Sequence, residues 1–197
     1  RWSIKDIIKE PLDIHNIGAL NDREEAVVEI LRTVGLTPPE NYLSRYPHEI
    51  SGGQRQRVSI ARTLIMKPKF VICDEPTSML DVSIRISIMD LMLNLAKDLD
   101  VSYLYITHDL AVARYMCNRI AVMFNGKIVE IAETEELLSN PVHPYTKRLI
   151  SSIPVPDPSY DRKVYDVNFD ELDSLIEKYG SDKPDLRNPL EISDLTI

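Results

Sequence analysis

Apolar and charged residues alternate near the helical period over two stretches at the start of the chain, from Ser3 to Ile17 and from Asp22 to Val34. Asp22 and the Glu three positions later have the spacing of a capping box, and Gly35 stands where a helix C-terminus is expected. A third stretch, Ser51 to Met66, begins with a residue that can cap a helix. The pattern predicts that the first third of the chain is helical.

The middle of the chain has the pattern of strands and one long helix. Phe70–Cys73 and Val101–Ile106 are short apolar runs on either side of a helical segment, Val82–Leu99, and this order predicts a parallel βαβ unit. Farther on, Arg119–Phe124 and Lys127–Ile131 flank an Asn-Gly pair, which suits a type I′ turn. We therefore expect an antiparallel hairpin after the βαβ unit.

The last part of the chain is less regular. Helices are predicted at Glu133–Asn140 and Tyr145–Ser152, whereas prolines and acidic residues accumulate after Pro154, apart from one amphipathic segment at Phe169–Tyr179. The predicted fold is α/β. Three domains are expected: a helical subdomain at 1–66, a core with mostly parallel sheet at 67–140 and a partly irregular C-terminal extension at 141–197.

Composition narrows the class of protein. No apolar run approaches the roughly 20 residues that span a bilayer, and the formal net charge of −8 disfavours nucleic acid as a partner. The only two cysteines, Cys73 and Cys117, lie in apolar segments without metal-type spacing, so we expect buried thiols in a reducing cytosol. The chain begins with Arg1 and lacks a signal segment, so we expect it to start inside a longer protein.

Polar residues follow both predicted parallel strands. Asp74-Glu75 ends the first strand and Thr107-His108-Asp109 ends the second, at the edge where open parallel sheets bind ligands. An Asp there can hold hydrated Mg²⁺, the Glu can polarise a water, and the His can reach the same phosphate oxygens. Taken singly, a helix-capping Asp-Glu pair and a surface histidine are equally good interpretations.

The Ser-Gly-Gly-Gln sequence at 51–54 is a second candidate for phosphate binding. Glycines at a helix start let backbone N–H groups approach an anion closely, although the same residues also suit an ordinary turn. Together and in order, the pieces resemble the nucleotide-binding subunits of ABC transporters. ISGGQRQR, from Ile50, looks like the signature motif with Ile in place of Leu. FVICDE, from Phe70, resembles Walker B, and SMLD and ITHD resemble the D-loop and the H-loop.

The flanking sequences narrow the resemblance, which covers about residues 1–158. IIKEPLDIH, RYPHEISGGQRQRV and NPVHPYTKRLISSIPVPDP look like the ATPase subunits of oligopeptide and dipeptide importers, with His143-Pro144-Tyr145 in the place of the HPY element of their tail. Many of those relatives carry a cysteine cluster in this tail. No cysteine follows Cys117 here, so no iron–sulfur cluster is expected.

The resemblance implies a mechanism and a set of site residues. In the family, two subunits enclose two ATP molecules head to tail, so Ser51, Gly52, Gly53 and Gln54 are expected to bind the ATP of the partner subunit in trans. It also implies that Asp74 positions Mg²⁺ through water, that Glu75 is the general base, that His108 senses the γ-phosphate and that Asp81 belongs to the D-loop. Arg55, Arg57 and Arg62 are interpreted instead as a solvated or ion-paired helix face.

The implied assembly is a peripheral ATPase at the cytoplasmic face of the cell membrane. Its expected partners are a second ATP-binding subunit, identical or homologous, two membrane permeases and, indirectly, a peptide-binding protein. A P-loop pattern is absent from the 197 residues, because Gly126-Lys127 lacks the earlier glycine and is followed by Ile128. We therefore expect the 197 residues to be inactive alone. An ABC-type ATPase with another substrate or a role outside transport, and a catalytically incompetent interaction module, stay as alternatives.

Overall fold

The computed structural model describes residues 2–152, which divide into two compact units between Ile106 and Thr107. The first unit contains five α-helices, a short 3₁₀ helix (Pro47–Glu49) and a parallel pair of strands: α1 (Ile4–Ile14), α2 (Leu20–Thr33), α3 (Glu40–Leu43), α4 (Gly52–Leu64), β1 (Phe70–Asp74), α5 (Val82–Leu99) and β2 (Ser102–Ile106). In the described part of the second unit are α6 (Leu110–Met116), β3 (Arg119–Phe124), β4 (Lys127–Glu133), α7 (Thr134–Ser139) and α8 (Pro144–Ser151).

Local side-chain contacts explain where the first helices begin. The Ser3 side chain caps α1 in a reciprocal capping box with Asp6. The capping box predicted at Asp22 is wrong. Helix α2 begins at Leu20, and the Asp22 carboxylate accepts a hydrogen bond of 3.2 Å from the backbone N–H of Ala19. Asp22 therefore lies in the first turn, where a carboxylate is favoured by the helix dipole, rather than at the cap.

The core of the first unit is formed by the apolar faces of α1, α2 and α4 together with part of α5. Its buried side chains come from α1, α2 and α4 and from the loop after α2: Ile4, Ile8, Val27, Leu31, Val34, Leu36, Ala61 and Leu64. Gly35 has φ +73°, and the next amide, that of Leu36, donates to the Leu31 carbonyl at 2.8 Å. The predicted glycine stop of α2 is thus confirmed.

The predicted βαβ unit is confirmed. Strands β1 and β2 pair in parallel, with Phe70 opposite Ser102 and Asp74 opposite Ile106, and α5 connects them. Alternate residues of the two strands leave one apolar face exposed, with Ile72 at 62% and Leu104 at 49% of their full accessibility. The carboxyl end of β1 therefore carries its polar residues at the edge of a sheet whose other face packs on the helices.

Both cysteines are half-buried rather than fully buried, which corrects the prediction made from their apolar surroundings. Cys73 lies near the end of β1, where packing against the helices is incomplete, and burial raises the pKa of its thiol to about 11. Burial also raises the pKa of Cys117. At neutral pH both thiols are therefore protonated.

The second unit is built on the predicted hairpin. Asn125 and Gly126 both have positive φ, 47° and 76°, as a type I′ turn requires, and β3 pairs antiparallel with β4. Helix α7 packs against this hairpin through Leu137, which is fully buried, and the Tyr145 ring of α8 lies 4.4 Å from the Phe124 ring. The two helices predicted after the hairpin are thus confirmed within a residue or two.

Two predictions lie wholly or partly beyond the described residues. The amphipathic segment Phe169–Tyr179 and most of the extension at 141–197 fall outside them. The division into three domains stays a prediction. Within residues 2–152, none of the helices combines the length and the apolar character that crossing a bilayer requires.

Candidate functional site

The Ser-Gly-Gly-Gln sequence forms the N-terminus of α4. Ser51 is the N-cap: its hydroxyl accepts from the Gln54 N–H at 3.3 Å, and the Gln54 side-chain oxygen accepts from the Ser51 N–H at 3.0 Å. Ile50, the residue before this N-cap, stands where the family has Leu, and its side chain is buried. The Arg55 guanidinium donates to the Ile50 carbonyl at 2.8 Å and so closes the turn from the other side.

This capping arrangement leaves part of the helix end available for a ligand. The first amides of an α-helix have no partner within the helix, and Ser51 satisfies that of Gln54, which leaves those of Gly52 and Gly53. The Ser51 hydroxyl is exposed and can still donate its proton while it accepts from Gln54. The helix N-terminus also carries the positive end of the dipole, so the arrangement is suited to an anion such as phosphate.

The two glycines differ in what surrounds them. A Cβ added at Gly52 would lie 3.7 Å from Leu80, which is an ordinary contact. A Cβ added at Gly53 would lie 2.7 Å from Cγ2 of Ile84, which is closer than such atoms approach each other. The sequence suggested that both glycines serve the approach of a ligand, whereas the structure shows that Gly53 is also required by the packing of α4 on α5.

Asp74 and Glu75 end β1, and the backbone of Glu75 is unusual. Glu75 has φ +43°, a left-handed conformation that is uncommon for a residue with a side chain. Its N–H donates to the Ile106 carbonyl of β2 at 3.0 Å, and its own carbonyl accepts from the Ser78 amide at 3.2 Å and hydroxyl at 3.0 Å. Strain of this kind persists where surrounding contacts impose it and is concentrated at functional sites.

A cavity of about 370 Å³ begins at these two acidic residues. Asp74 and Glu75 line it together with one face of α4, including Gln56 and Thr63. None of the four residues at 51–54 lines this cavity. The first unit therefore brings Asp74 and Glu75 together but does not bring them to the same cavity as the start of α4.

Asp81 and His108 lie at the starts of two other segments. Asp81 precedes α5 as its N-cap residue, yet its carboxylate makes no capping hydrogen bond. His108 is exposed and belongs to the second unit, where the next residue, Asp109, caps α6 by accepting from the amide of Ala111 at 2.9 Å. That cap fixes the backbone beside His108, while the relation of His108 to Asp74 and Glu75 stays a prediction.

The described residues fit a metal ion that keeps most of its water. No cluster of three or more His, Cys, Asp and Glu side chains suited to a metal ion occurs in residues 2–152. Mg²⁺ in phosphate-transfer sites is commonly held by one or two carboxylates, by phosphate oxygens and by water. The exposed Asp74 carboxylate is a ligand of the right chemistry for that role.

Tertiary structure reveals further residues around the site that sequence reasoning placed on a solvated face. Arg57 donates to the Val34 carbonyl at the end of α2 and, at 3.0 Å, to the Ser87 hydroxyl on α5. Arg62 pairs with Glu10 of α1 at 2.5 Å, in agreement with the ion-pair interpretation. No local pattern signals the contacts of Arg57, because its partners lie 23 and 30 positions away in the chain.

Comparison with known sequences identifies two families of sequence in the chain. Residues 4–78 match the family model described as ABC transporter, and residues 129–174 match that of the oligopeptide/dipeptide transporter C-terminal region. The oligopeptide transport ATP-binding protein OppF of Bacillus subtilis (strain 168) is 51% identical over 82% of this chain and 53% of its own length. AmiF, the oligopeptide transport ATP-binding protein of Streptococcus pneumoniae serotype 4, is 48% identical over 94% of this chain and 59% of its own length.

The dipeptide transport ATP-binding protein DppF of Lactococcus lactis subsp. cremoris is 47% identical over 86% of this chain and 54% of its own length. The chain thus spans between half and three fifths of the length of these curated relatives. A solved structure described as an inward-facing ABC transporter of the metal-chelate type is similar with a TM-score of 0.65, covering 78% of this chain and 59% of its own at 22% identity. That likeness concerns the fold alone.

The chain belongs to the ABC transporter family. Within that family it groups with the ATP-binding proteins of oligopeptide and dipeptide transport, as both the C-terminal match and the relatives show. The predicted resemblance and the α/β, ABC-type fold are therefore confirmed. The assignment of individual site residues stays a prediction.

Proposed function

We propose that the gene product carrying this chain is an ATP-hydrolysing subunit that energises the import of oligopeptides or dipeptides. The observation that carries the proposal is the left-handed Glu75 at the carboxyl end of a parallel strand, held by Ile106 and Ser78, in a chain about half identical to oligopeptide transport ATP-binding proteins. The sheet edge on which Glu75 lies is the place where such sheets bind ligands.

Each site residue has a chemical role in this proposal. Bound ATP with Mg²⁺ supplies a phosphoryl group whose transfer to water is favoured by positioning and by charge stabilisation. The Asp74 carboxylate would hold Mg²⁺ through water, and Glu75 would orient the attacking water and accept its proton. His108 donates a hydrogen bond to the γ-phosphate, and Asp81 lies in the D-loop at the boundary with the partner.

The start of α4 is proposed to act on the nucleotide of a second subunit. In support of this arrangement, Ser51 to Gln54 do not line the cavity that begins at Asp74 and Glu75. The amides of Gly52 and Gly53 and the Ser51 hydroxyl then bind the partner's γ-phosphate. Hydrolysis would require the head-to-tail pairing of two subunits.

The proposed partners are a second ATP-binding subunit, two membrane permeases and, through them, a peptide-binding protein. The proposed location is the cytoplasmic face of the cell membrane, with the subunit bound peripherally to the permeases. Supporting this, the relatives are named for oligopeptide and dipeptide transport, and residues 129–174 match the C-terminal region of such transporters. The peptide itself would be selected by the other components.

The substitution Glu75→Gln tests the proposal. In the full-length gene product it is expected to preserve ATP binding, because shape and hydrogen bonding are retained, while loss of the base lowers turnover by about 10²–10⁴-fold. Equilibrium binding of a fluorescent ATP analogue and phosphate release are the measurements. The matched control is Glu25→Gln on α2, which changes another exposed carboxylate, outside the site. Turnover near that of the control would assign the base to another residue.

A further inference from the structure

The start of α4 and the start of α5 are packed against each other at Gly53. A Cβ added at Gly53 would lie 2.7 Å from Cγ2 of Ile84, and Gly53 is buried. A methyl group at that position would require Ile84 to move. Ile84 cannot do so easily, because a β-branched side chain in a helix has one strongly preferred χ1 rotamer.

A second contact joins the same two helices about one turn farther along. Arg57, four positions after Gly53, donates to the hydroxyl of Ser87 at 3.0 Å, three positions after Ile84. Residues three or four apart lie on one face of a helix, so the two contacts form a single line between α4 and α5. We call this line, made of Gly53, Arg57, Ile84 and Ser87, the α4–α5 seam.

We propose that Ile84 and Arg57 are positioning residues for the Ser-Gly-Gly-Gln motif, and that Gly53 is glycine because the seam requires it as well as because phosphate approaches there. This inference rests on the proposed function only in so far as the motif binds phosphate. The seam determines how far the first turn of α4 lies from α5, and therefore where the amides of Gly52 and Gly53 point.

The seam also links two parts of the proposed dimer interface within one subunit. Helix α5 begins immediately after Asp81, the D-loop residue, and its first two turns carry Ile84 and Ser87. Because Gly53 leaves no gap between the helices, a displacement of Asp81 and the start of α5 is transmitted to the start of α4. The motif and the D-loop are thus expected to move as one body.

The test is a double-mutant cycle on the full-length gene product with two readouts. The first is the melting temperature without nucleotide, which does not depend on ATP hydrolysis. Gly53→Ala is expected to lower it by about 2–4 °C, the shift typical of a modest packing defect in a domain of this size. In the Ile84→Ala background, where Cγ2 is absent, the same substitution is expected to leave it unchanged or raise it, because alanine is the better helix former.

Gly52→Ala is the matched control for stability. Its Cβ would lie 3.7 Å from Leu80, so it is expected not to lower the melting temperature in either background. If Gly53→Ala lowers the melting temperature equally in the wild-type and Ile84→Ala backgrounds, the packing contact between Gly53 and Ile84 is not what requires glycine at position 53. That result is independent of any activity and so separates failure of this inference from failure of the proposed function.

The second readout is steady-state ATP hydrolysis. Gly53→Ala is expected to lower kcat at least tenfold with a smaller change in KM, because it leaves unaltered the residues with which the nucleotide's own subunit binds it. Ile84→Ala is expected to restore part of the loss. Gly52→Ala is also expected to lower kcat, because its methyl would lie where phosphate is proposed to approach. Ile84→Ala is expected not to restore that loss, since Gly52 does not contact Ile84. If Ile84→Ala restores stability to the Gly53 variant but no activity, the positioning role is wrong, and Gly53 affects hydrolysis only through the approach of phosphate.

Discussion

Substitution of Glu130 tests how strongly the hairpin of the second unit holds the loop between α7 and α8. This carboxylate is buried, with only 8% of the residue exposed, and its two oxygens accept from the backbone N–H groups of Val142 and His143 at 2.8 and 3.0 Å. The loop before α8 is thereby joined to β4. Replacing Glu130 by alanine would leave both N–H groups without this acceptor.

The size of the effect follows from these two contacts. A hydrogen bond to a charged group contributes about 1.5–3 kcal/mol, and water entering the vacated space would replace part of it. A net loss of about 3 kcal/mol for the pair corresponds to roughly a 100-fold increase in local opening, at about 1.4 kcal/mol per factor of ten. Glu130→Gln is expected to fall between wild type and alanine, since one side-chain oxygen still accepts.

Amide hydrogen exchange measures this opening directly at Val142 and His143. The control is Glu133→Ala on the same strand, whose side chain is 67% exposed and pairs with Arg119 only at 3.7 Å. Such an exposed pair contributes about 0–1 kcal/mol, so exchange at the two amides should change little. Exchange in Glu130→Ala within threefold of that control would refute the idea that Glu130 holds the loop.

Two further predictions concern His143 and Gly35. Burial lowers the pKa of His143, whose Nδ1 accepts from the Tyr145 N–H at 3.1 Å. The unfolded chain therefore binds the proton more readily, and this contribution to stability is lost as pH falls below about 6.5. The difference in free energy of unfolding in urea between pH 7.5 and pH 5 should be smaller in His143→Asn than in the wild type, and an equal difference would contradict the prediction. Gly35→Ala is expected to lower the melting temperature measured by calorimetry by roughly 2–8 °C. The reasons are the left-handed backbone, with φ +73°, and the new methyl group, which would lie 2.8 Å from the Arg57 guanidinium. An unchanged melting temperature would count against both the backbone strain and the steric contact.

Much of the local structure follows from short sequence patterns. Ser51 and Gln54 form the capping box that their spacing indicates, and Asn125-Gly126 forms the turn that its composition favours. The start of α2 was predicted wrongly, because Asp22 is equally plausible as a cap and as a first-turn residue, and only the backbone conformation at Ala19 distinguishes the two. The sequence pattern alone does not determine at which residue the helix begins.

The order of the motifs was sufficient to identify the family. Each motif lies within one short stretch of sequence: Asp74-Glu75 follows an apolar strand, and Ser51 to Gln54 begin an Arg-rich helix. Both can therefore be recognised without knowledge of the tertiary structure. The left-handed backbone of Glu75 could not be read in this way. It depends on the Ile106 carbonyl of the neighbouring strand, which accepts the Glu75 N–H.

The sequence by itself determined most of the helices, although not α3 and α6, together with the strand pair, the hairpin and the family. It did so because caps, turns and apolar periodicity act over a few residues. Tertiary structure decided why Gly53 is glycine, what Arg57 binds and what Glu130 holds in place. These contacts join positions 12 to about 30 residues apart, and no local preference encodes them. A hydrogen bond or a steric limit between such positions exists only after the chain has packed, so only the folded structure reveals it.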